Sequence, residues 1–403
     1  MCFFNLNKIK TDSMNFYKNF YNQVSSFCNG AWQNRVLIIL PFSLLMFIQT
    51  GFKDKPDNPG KEIVLRLEPG PDNPRNSEGD FITLRDGRIM FIYSRYFGTK
   101  GGDHSPAYLA ARFSADSGNT WTSEDLKVVE REGTMNVMSV SLLRLKNGKI
   151  ALFYLKKNSE TDCIPMVRFS NDEAKTWSEP IPCITDKQGY FVLNNNRVIQ
   201  LKNGRLLMAV NLYNIASGSQ LNKGSLWSYY SDDSGQTWKS GVEVSNPDKF
   251  LTQEPGVVEL KNRDILMIIR SDAGAQCISY SKDKGVTWSP VKPSNIKSPV
   301  SPASIERIPS TGDLLLVWNN NGGDDPAIKG KRTPLTVAIS KDDGKTWQKI
   351  KNVENDPDGW YCYIAIHFVG KDVLLGHCAG NRPKGTGLAV TQITKLSLDW
   401  IYN

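Results

Sequence analysis

From about residue 75 to the end, the chain is written in short apolar runs broken by turns that carry glycine, asparagine and aspartate. Such runs flank Leu84-Arg-Asp-Gly87-Arg-Ile89, Leu145-Lys-Asn-Gly148-Lys-Ile150 and Leu201-Lys-Asn-Gly204-Arg-Leu206. Asp-Gly and Asn-Gly between apolar runs predict tight hairpins, because glycine accepts the positive φ the turn demands. Weaker forms follow at Leu260-Lys-Asn-Arg-Asp-Ile265, Ile308-Pro-Ser-Thr-Gly312-Asp-Leu314 and Phe368-Val-Gly370-Lys-Asp-Val373. The pattern predicts an all-β chain.

A second signal runs out of phase with these hairpins. An eight-residue sentence, Ser114-Ala-Asp116-Ser-Gly118-Asn-Thr120-Trp121, returns from Ser170, Ser231, Ser281 and Ser340, with starts 56, 61, 50 and 59 residues apart. Asp-x-Gly among strand-like residues is a turn: the carboxylate can accept backbone N–H bonds, and Ser and Thr add local bonds of their own. Five aspartates on such a repeat cannot converge on one site, so they read as structural staples at the periphery. The second copy has Ala174 where the others have glycine; if that position needs positive φ, alanine costs roughly 1–2 kcal/mol. A repeat at this period means like supersecondary units. Each unit reads as strand, hairpin, strand, then strand, Asp-x-Gly turn, strand. Six units predict a six-bladed β-propeller of four-stranded antiparallel blades. The sixth unit lacks the octet, as expected where a ring closes by borrowing a strand from the other terminus, and the C-terminal strand is expected to close that last blade.

Length adds little to this picture: 403 residues could hold two ordinary domains, but the repeat claims residues 62–403 as one. The net charge is +8, of which residues 1–52 supply +3. The remaining excess is scattered, and no basic tract indicates nucleic acid. The apolar run Val36–Ile48 follows Arg35, is short for a membrane span and suits a signal-peptide core or signal anchor. Residues 1–52 are therefore expected to be an address segment, 53–61 a linker, and the protein exported. Of the seven cysteines, Cys163, Cys183, Cys277, Cys362 and Cys378 follow the apolar run, without the spacing of a disulfide framework. Buried free thiols are expected, with Cys163–Cys183 as the one pairing considered. His104, His367 and His377 are too scattered for a metal site, and no metal or cofactor motif occurs.

The octets, taken with five further segments, resemble the sialidase (neuraminidase) family of Asp-box propellers, over nearly the whole chain from about residue 75 to Trp400. Gln253-Glu254-Pro255-Gly256 leading to Ile269-Arg270-Ser271 is similar to the family's fourth-blade segment, which implies that Glu254 partners the nucleophile and Arg270 binds a substrate carboxylate. Lys331-Arg332-Thr333-Pro334 resembles the segment of a second carboxylate-binding arginine; Arg332 fits, with Lys331 competing. Trp360-Tyr361-Cys362-Tyr363 lies where the family carries its nucleophile. The resemblance implies Tyr361, with Tyr363 as rival because strand alternation places both on one face. Asp103, in the Gly101-Gly-Asp103-His104 loop shortly before the first octet, takes the acid/base position. Leu396-Ser-Leu398-Asp399-Trp400 resembles the family's closing strand.

These residue types suit one reaction. A sialic acid bears a carboxylate on its anomeric carbon; arginines bind it by charge-assisted pairs, and a neutral tyrosine can attack where a carboxylate nucleophile would be repelled. The resemblance thus implies a retaining exo-glycosidase acting on a terminal sialoside or similar anionic glycan, without a cofactor. Two departures stand out. The first-blade arginine motif is replaced by Pro74-Arg75-Asn76-Ser77-Glu78-Gly79-Asp80, so that Arg75 substitutes with Arg95 as fallback, and Glu78 and Asp80 add acid near an anion site. Asn194-Asn195-Asn196-Arg197 stands where the family tends to small residues. A catalytically silent propeller that binds glycan or protein is the alternative reading.

Overall fold

The computed structural model describes residues 59–213 and 224–403. The address segment, most of the expected linker and the Val36–Ile48 run lie outside them. Among the described residues no helix is long and apolar enough to cross a membrane.

The chain folds into antiparallel sheets: four of four strands, and one of nine. The nine-stranded sheet consists of two antiparallel groups that meet only through a parallel bridge between Tyr190 and Cys163. Strands are short because hairpins interrupt them at the predicted places. At Gly87, for example, φ is +86° and the turn closes with Gly87 N–H donating to Leu84 O at 3.0 Å.

Each octet folds into the same turn. The serine hydroxyl donates to the aspartate at 2.7–2.8 Å, and the same aspartate oxygen accepts the threonine N–H at 2.9 Å. Two successive residues take left-handed backbone, as in Ser117 (φ 59°) and Gly118 (φ 83°). Glu173 (φ 61°) and Ala174 (φ 64°) do the same, so the alanine does occupy a position that favours glycine. The tryptophans Trp121, Trp177, Trp238, Trp288 and Trp347 pack against five different apolar clusters. Four of those clusters lie between neighbouring sheets and the fifth between the two groups of the nine-stranded sheet; one joins Phe81, Phe91 and Tyr93 of the first sheet to Leu374 and Ile393 of the last.

The last sheet takes a strand from the other terminus, as expected, but that strand lies outside the C-terminal one. Its order runs Lys61–Leu67, Thr391–Ser397, Asp372–Asn381, Gly359–Val369. The outermost place therefore belongs to the N-terminal strand, paired antiparallel along Thr391–Leu396, and the C-terminal strand sits inside it. The chain beyond Ser397 is not strand but a short helix, Leu398–Tyr402, capped by the Ser397 hydroxyl. Strand Lys61–Leu67 also takes up the end of the expected linker.

Candidate functional site

One edge strand from each sheet approaches a common centre, where Asn195 donates its amide to Gly79 O (2.8 Å) and Tyr363 O (3.1 Å). Four of these strands share one irregularity. Between Ser77 and Asp80, Met138 and Ser141, Gln253 and Gly256, and Cys362 and Ala365, one extra residue is inserted relative to the partner strand. In each bulge the residue just after the last paired position is left-handed: Glu78 (φ 54°), Ser139 (φ 60°), Glu254 (φ 43°) and Tyr363 (φ 57°). Such backbone is unfavourable for residues with a Cβ, and its concentration at one centre is the pattern of a functional site. The bulge re-aims the side chain it carries.

That geometry separates the two tyrosines. Tyr361 lies outside the bulge and packs into an apolar cluster with Val353, Ala379 and Val390, its ring edge-on to His377. It is seated against Gly359, where a Cβ would come within 2.3 Å of the Tyr361 ring. Tyr363 turns instead into the centre, and its hydroxyl donates to Glu254 Oε1 at 3.4 Å. The expectation that both residues share a face fails because the strand's alternation is broken between Cys362 and Ala365.

Tyr363 and Glu254 line a cavity of about 370 Å³ with Asp103, Arg270, Arg332, Tyr190, Tyr213, Gln253, Glu160, His104 and Leu388. Arg270 is the next-to-last residue of the strand Ile265–Ser271 and donates to Glu254 Oε2 at 2.7 Å. Arg332 stands over the Tyr363 ring at 5.5 Å and the Trp360 ring at 5.6 Å, with Nη1 3.1 Å from Cys362 Sγ. Its loop is tied down on both sides by Asn321, whose amide donates to Lys331 O and Thr333 O. Lys331 points elsewhere, toward Asp358 at 3.3 Å. Arg75 lies just behind the cavity wall: Nη1 donates to Asp103 Oδ1 at 2.5 Å, Nη2 to Ser77 Oγ at 3.2 Å, and the guanidinium stacks over Tyr96. Arg95 is outside the cavity, paired with Asp125 at 2.8 Å. The Asp103 loop is clamped from the next sheet, where Asn136 and the buried Lys157 both donate to Asp103 O, at 2.9 and 2.8 Å. These two residues, and the stacked pair Tyr190–Tyr213 (5.8 Å), carry no motif that sequence reasoning could have used.

The electrostatics follow. Burial drives the Tyr363 phenol well above its ordinary range, and the facing Glu254 adds to this, so the hydroxyl keeps its proton at rest. Desolvation works to raise the Asp103 carboxyl, but Arg75, with Lys157 and His104 behind it, outweighs that and holds it below the usual range. Burial would raise the Cys362 thiol; Cys378, its partner in strand register, and Arg332 bring it down to about 7. The five cysteines among the described residues are buried free thiols, Cys163 and Cys183 included. No group of three or more His, Cys, Asp or Glu among the described residues could hold a metal ion. A second cavity of about 400 Å³ includes Asp80, Asn196, Glu306 and His367, and none of the expected site residues lies in it.

Radial antiparallel sheets whose inner edges carry arginines, paired carboxyls and a tyrosine define the class of propeller-type proteins with a central polar cleft. A family model described as a BNR repeat-like domain matches residues 92–373, and the chain belongs to that family, as a propeller of the sialidase kind. The sialidase of Bacteroides fragilis is 27% identical over 216 residues, 51% of this chain and 37% of that protein. The sialidase of Micromonospora viridifaciens is 30% identical over 306 residues, 67% of this chain and 43% of that protein. The chain thus spans less than two thirds of the length of either relative. The NanB sialidase from Streptococcus pneumoniae superposes with a TM-score of 0.64 at 16% identity, covering 85% of this chain and 71% of that one. A Dyadobacter fermentans protein of unknown function superposes with a TM-score of 0.67 at 20% identity, covering 84% of this chain and 100% of that one.

Proposed function

We propose that the protein is a retaining exo-glycosidase that releases terminal sialic acid, or a related acidic sugar, from a glycoconjugate. The observation that carries this reading is the contact of Tyr363 with Glu254, itself ion-paired to Arg270, in one cavity. Tyr363, rather than the Tyr361 expected from the sequence, is assigned as nucleophile. Its oxygen attacks the anomeric carbon while its proton passes to Glu254, which a phenol of raised pKa requires. Asp103 protonates the departing glycosidic oxygen and later removes a proton from the water that cleaves the tyrosyl–sugar bond. Arg270 and Arg332 take the substrate carboxylate. Arg75 joins them by turning from Asp103, which frees that carboxyl to hold a proton in the acid step. Retention follows from two displacements at one carbon.

The nine-stranded sheet is read as two blades joined at the Tyr190–Cys163 bridge, giving six blades in a closed ring with five Asp boxes; the apolar cluster between the first and last sheets supports closure. Export is part of the proposal and rests on the apolar run Val36–Ile48. A glycan-binding propeller without activity is the contrary outcome of the test. Hydrolysis of an aryl sialoside should be abolished in Tyr363→Phe and retained in Tyr361→Phe. Absence of turnover by the unaltered protein on any acidic aryl glycoside would leave binding alone.

A further inference from the structure

The three arginines assigned to the substrate carboxylate are not held alike. Glu254 fixes Arg270 and Asp103 fixes Arg75, but Arg332 ends on a sulfur, with Nη1 3.1 Å from Cys362 Sγ. Cys362 is fully buried and is the last paired residue before the bulge that carries Tyr363. Ser77 holds the same place in the first sheet, before the bulge that carries Glu78, and its Oγ accepts from Arg75 Nη2 at 3.2 Å. Cys378 stands between the two. It faces Cys362 in strand register, the two thiols are hydrogen-bonded, and its Sγ lies 3.7 Å from Ser77 Oγ. A continuous path of side chains thus joins Arg332 to Arg75, through Cys362, Cys378 and Ser77, and none of the three middle residues lines the cavity.

The hydrogens along this path fall into one order. Arg75 donates to Ser77, which leaves the Ser77 hydrogen for Cys378. The Cys378 S–H then serves Cys362, with Leu388 O as a longer alternative at 3.9 Å. The Cys362 sulfur accepts from both Cys378 and Arg332. Burial acts the other way, yet these two donors bring the Cys362 thiol down. Sulfur is a weak acceptor, and that suits the position. A carboxylate on Arg332 would take the guanidinium fork bidentately and compete with the carboxylate of a substrate. A one-point sulfur contact fixes a single nitrogen and leaves the rest of the fork to bind.

We infer that Cys362, Cys378 and Ser77 are positioning residues: they form a buried bridge, from the last sheet to the first, that sets Arg332 and Arg75 at the separation one substrate carboxylate needs. The inference rests on the acidic-sugar reading and adds to it residues that touch no substrate. The bridge also gives Arg75 a pivot, since Nη2 stays on Ser77 while Nη1 turns from Asp103.

The test is calorimetric binding of the 2,3-unsaturated derivative of N-acetylneuraminic acid and of its methyl ester, in reducing buffer so that both thiols persist. The ratio of the two affinities reports recognition of the carboxylate, whereas a general loosening of the fold weakens both ligands alike. Cys362→Ala should cut the preference for the acid roughly tenfold, the lower end for a lost hydrogen bond to a charged group. Cys362→Ser keeps an acceptor and should lose less. Cys378→Ala is the decisive variant, because the hydrogen bonds of Cys378 among the described residues go to Cys362, Ser77 and Leu388 and not to an arginine. It should cut the preference about threefold or more, and the double change should lose little beyond Cys362→Ala alone, as expected of residues that act as one unit. Thermal melting checks folding; if Cys378→Ala does not fold, Cys378→Val, which fills the same space without a donor, takes its place. A folded Cys378 variant that keeps the full preference overturns the bridge, as does a double change whose loss is the product of the two single losses. Wild-type protein that does not prefer the acid to the ester is a different result, seen before any variant is made: it removes the acidic-sugar reading, and with it the purpose of the bridge.

Discussion

The Tyr363 hydroxyl lies 3.4 Å from Glu254 Oε1, although the two residues belong to strands 109 positions apart in sequence. Both side chains reach the centre from a one-residue bulge and a left-handed backbone, so the contact depends on two matched irregularities and not on regular strand alternation. Arg270 holds the other Glu254 oxygen at 2.7 Å and fixes the carboxylate toward the tyrosine. Changing Glu254 to Gln should lower kcat by roughly 10²–10⁴, the usual range for loss of a positioned base. Steady-state kinetics with an aryl sialoside would check this. A variant within a factor of a few of wild type would remove Glu254 from the proton path.

Arg332 presents its guanidinium over Tyr363 and, among the described residues, forms no salt bridge with a carboxylate, unlike Arg75 and Arg270. Arg332→Lys keeps the charge but loses the planar fork, so kcat/KM on a sialoside should fall by about 10² or more. Lys331→Ala, which breaks contacts with Asp358 and the Pro357 carbonyl outside the cavity, should leave it nearly unchanged. Equal effects of the two changes would contradict the placement.

Asp103 reaches the cavity on an exposed loop while its backbone carbonyl is held by Asn136 and Lys157. As the acid for the leaving group, it should matter most for a poor leaving group. Asp103→Asn should lose roughly 10²–10⁴ in rate on a sialyl-sugar and far less on an aryl sialoside whose leaving oxygen needs little protonation. A loss independent of the leaving group would point to a binding role only.

Ala174, in the left-handed region at φ 64°, offers a stability test remote from the cleft. Ala174→Gly relieves about 1–2 kcal/mol of backbone strain but gives back about 0.4–1 kcal/mol through the more flexible unfolded chain. The net expectation is a stabilisation of about 0.5–1 kcal/mol by urea melting. Destabilisation would mean that the alanine methyl, packed beside Trp177 and its cluster, outweighs the strain.

The aspartates of the repeated turns set the acid limit. Asp116, Asp172 and Asp342 are lowered to about 2, the first by the Thr120 backbone N–H and the other two by the Thr176 and Thr346 hydroxyls. A depressed carboxylate supports the fold above its unfolded value and loses that support as pH falls through the folded one. Stability should therefore decline between about pH 4 and about pH 2, and an Asp342→Asn variant should show a shallower decline over that window.

The repeat was open to sequence reading because turn chemistry is local. Asp-Gly, Asn-Gly and the octet each meet their backbone demand within a few residues, and the structure puts hairpins there. Glu254 and Arg270 were legible for a related reason: they flank a single hairpin and come together once it closes. The choice between Tyr361 and Tyr363 was not, since a bulge leaves no periodic mark and strand alternation predicts the wrong face. Nor were Asn136 and Lys157, whose contact with the Asp103 loop arises only when two sheets pack. The chain end misled for a different cause. Leu396 and Ser397 do finish a strand, but the Ser397 hydroxyl caps a helical turn that the apolar residues beyond it also favour.

The assignment of the nucleophile to Tyr363 is tested most directly by trapping the covalent intermediate. The protein is incubated with a sialoside carrying fluorine beside the anomeric carbon and an activated leaving group, digested, and the modified peptide sequenced by mass spectrometry. The account predicts one sugar adduct on Tyr363 and none on Tyr361; an adduct on Tyr361, or on Glu254, would contradict it.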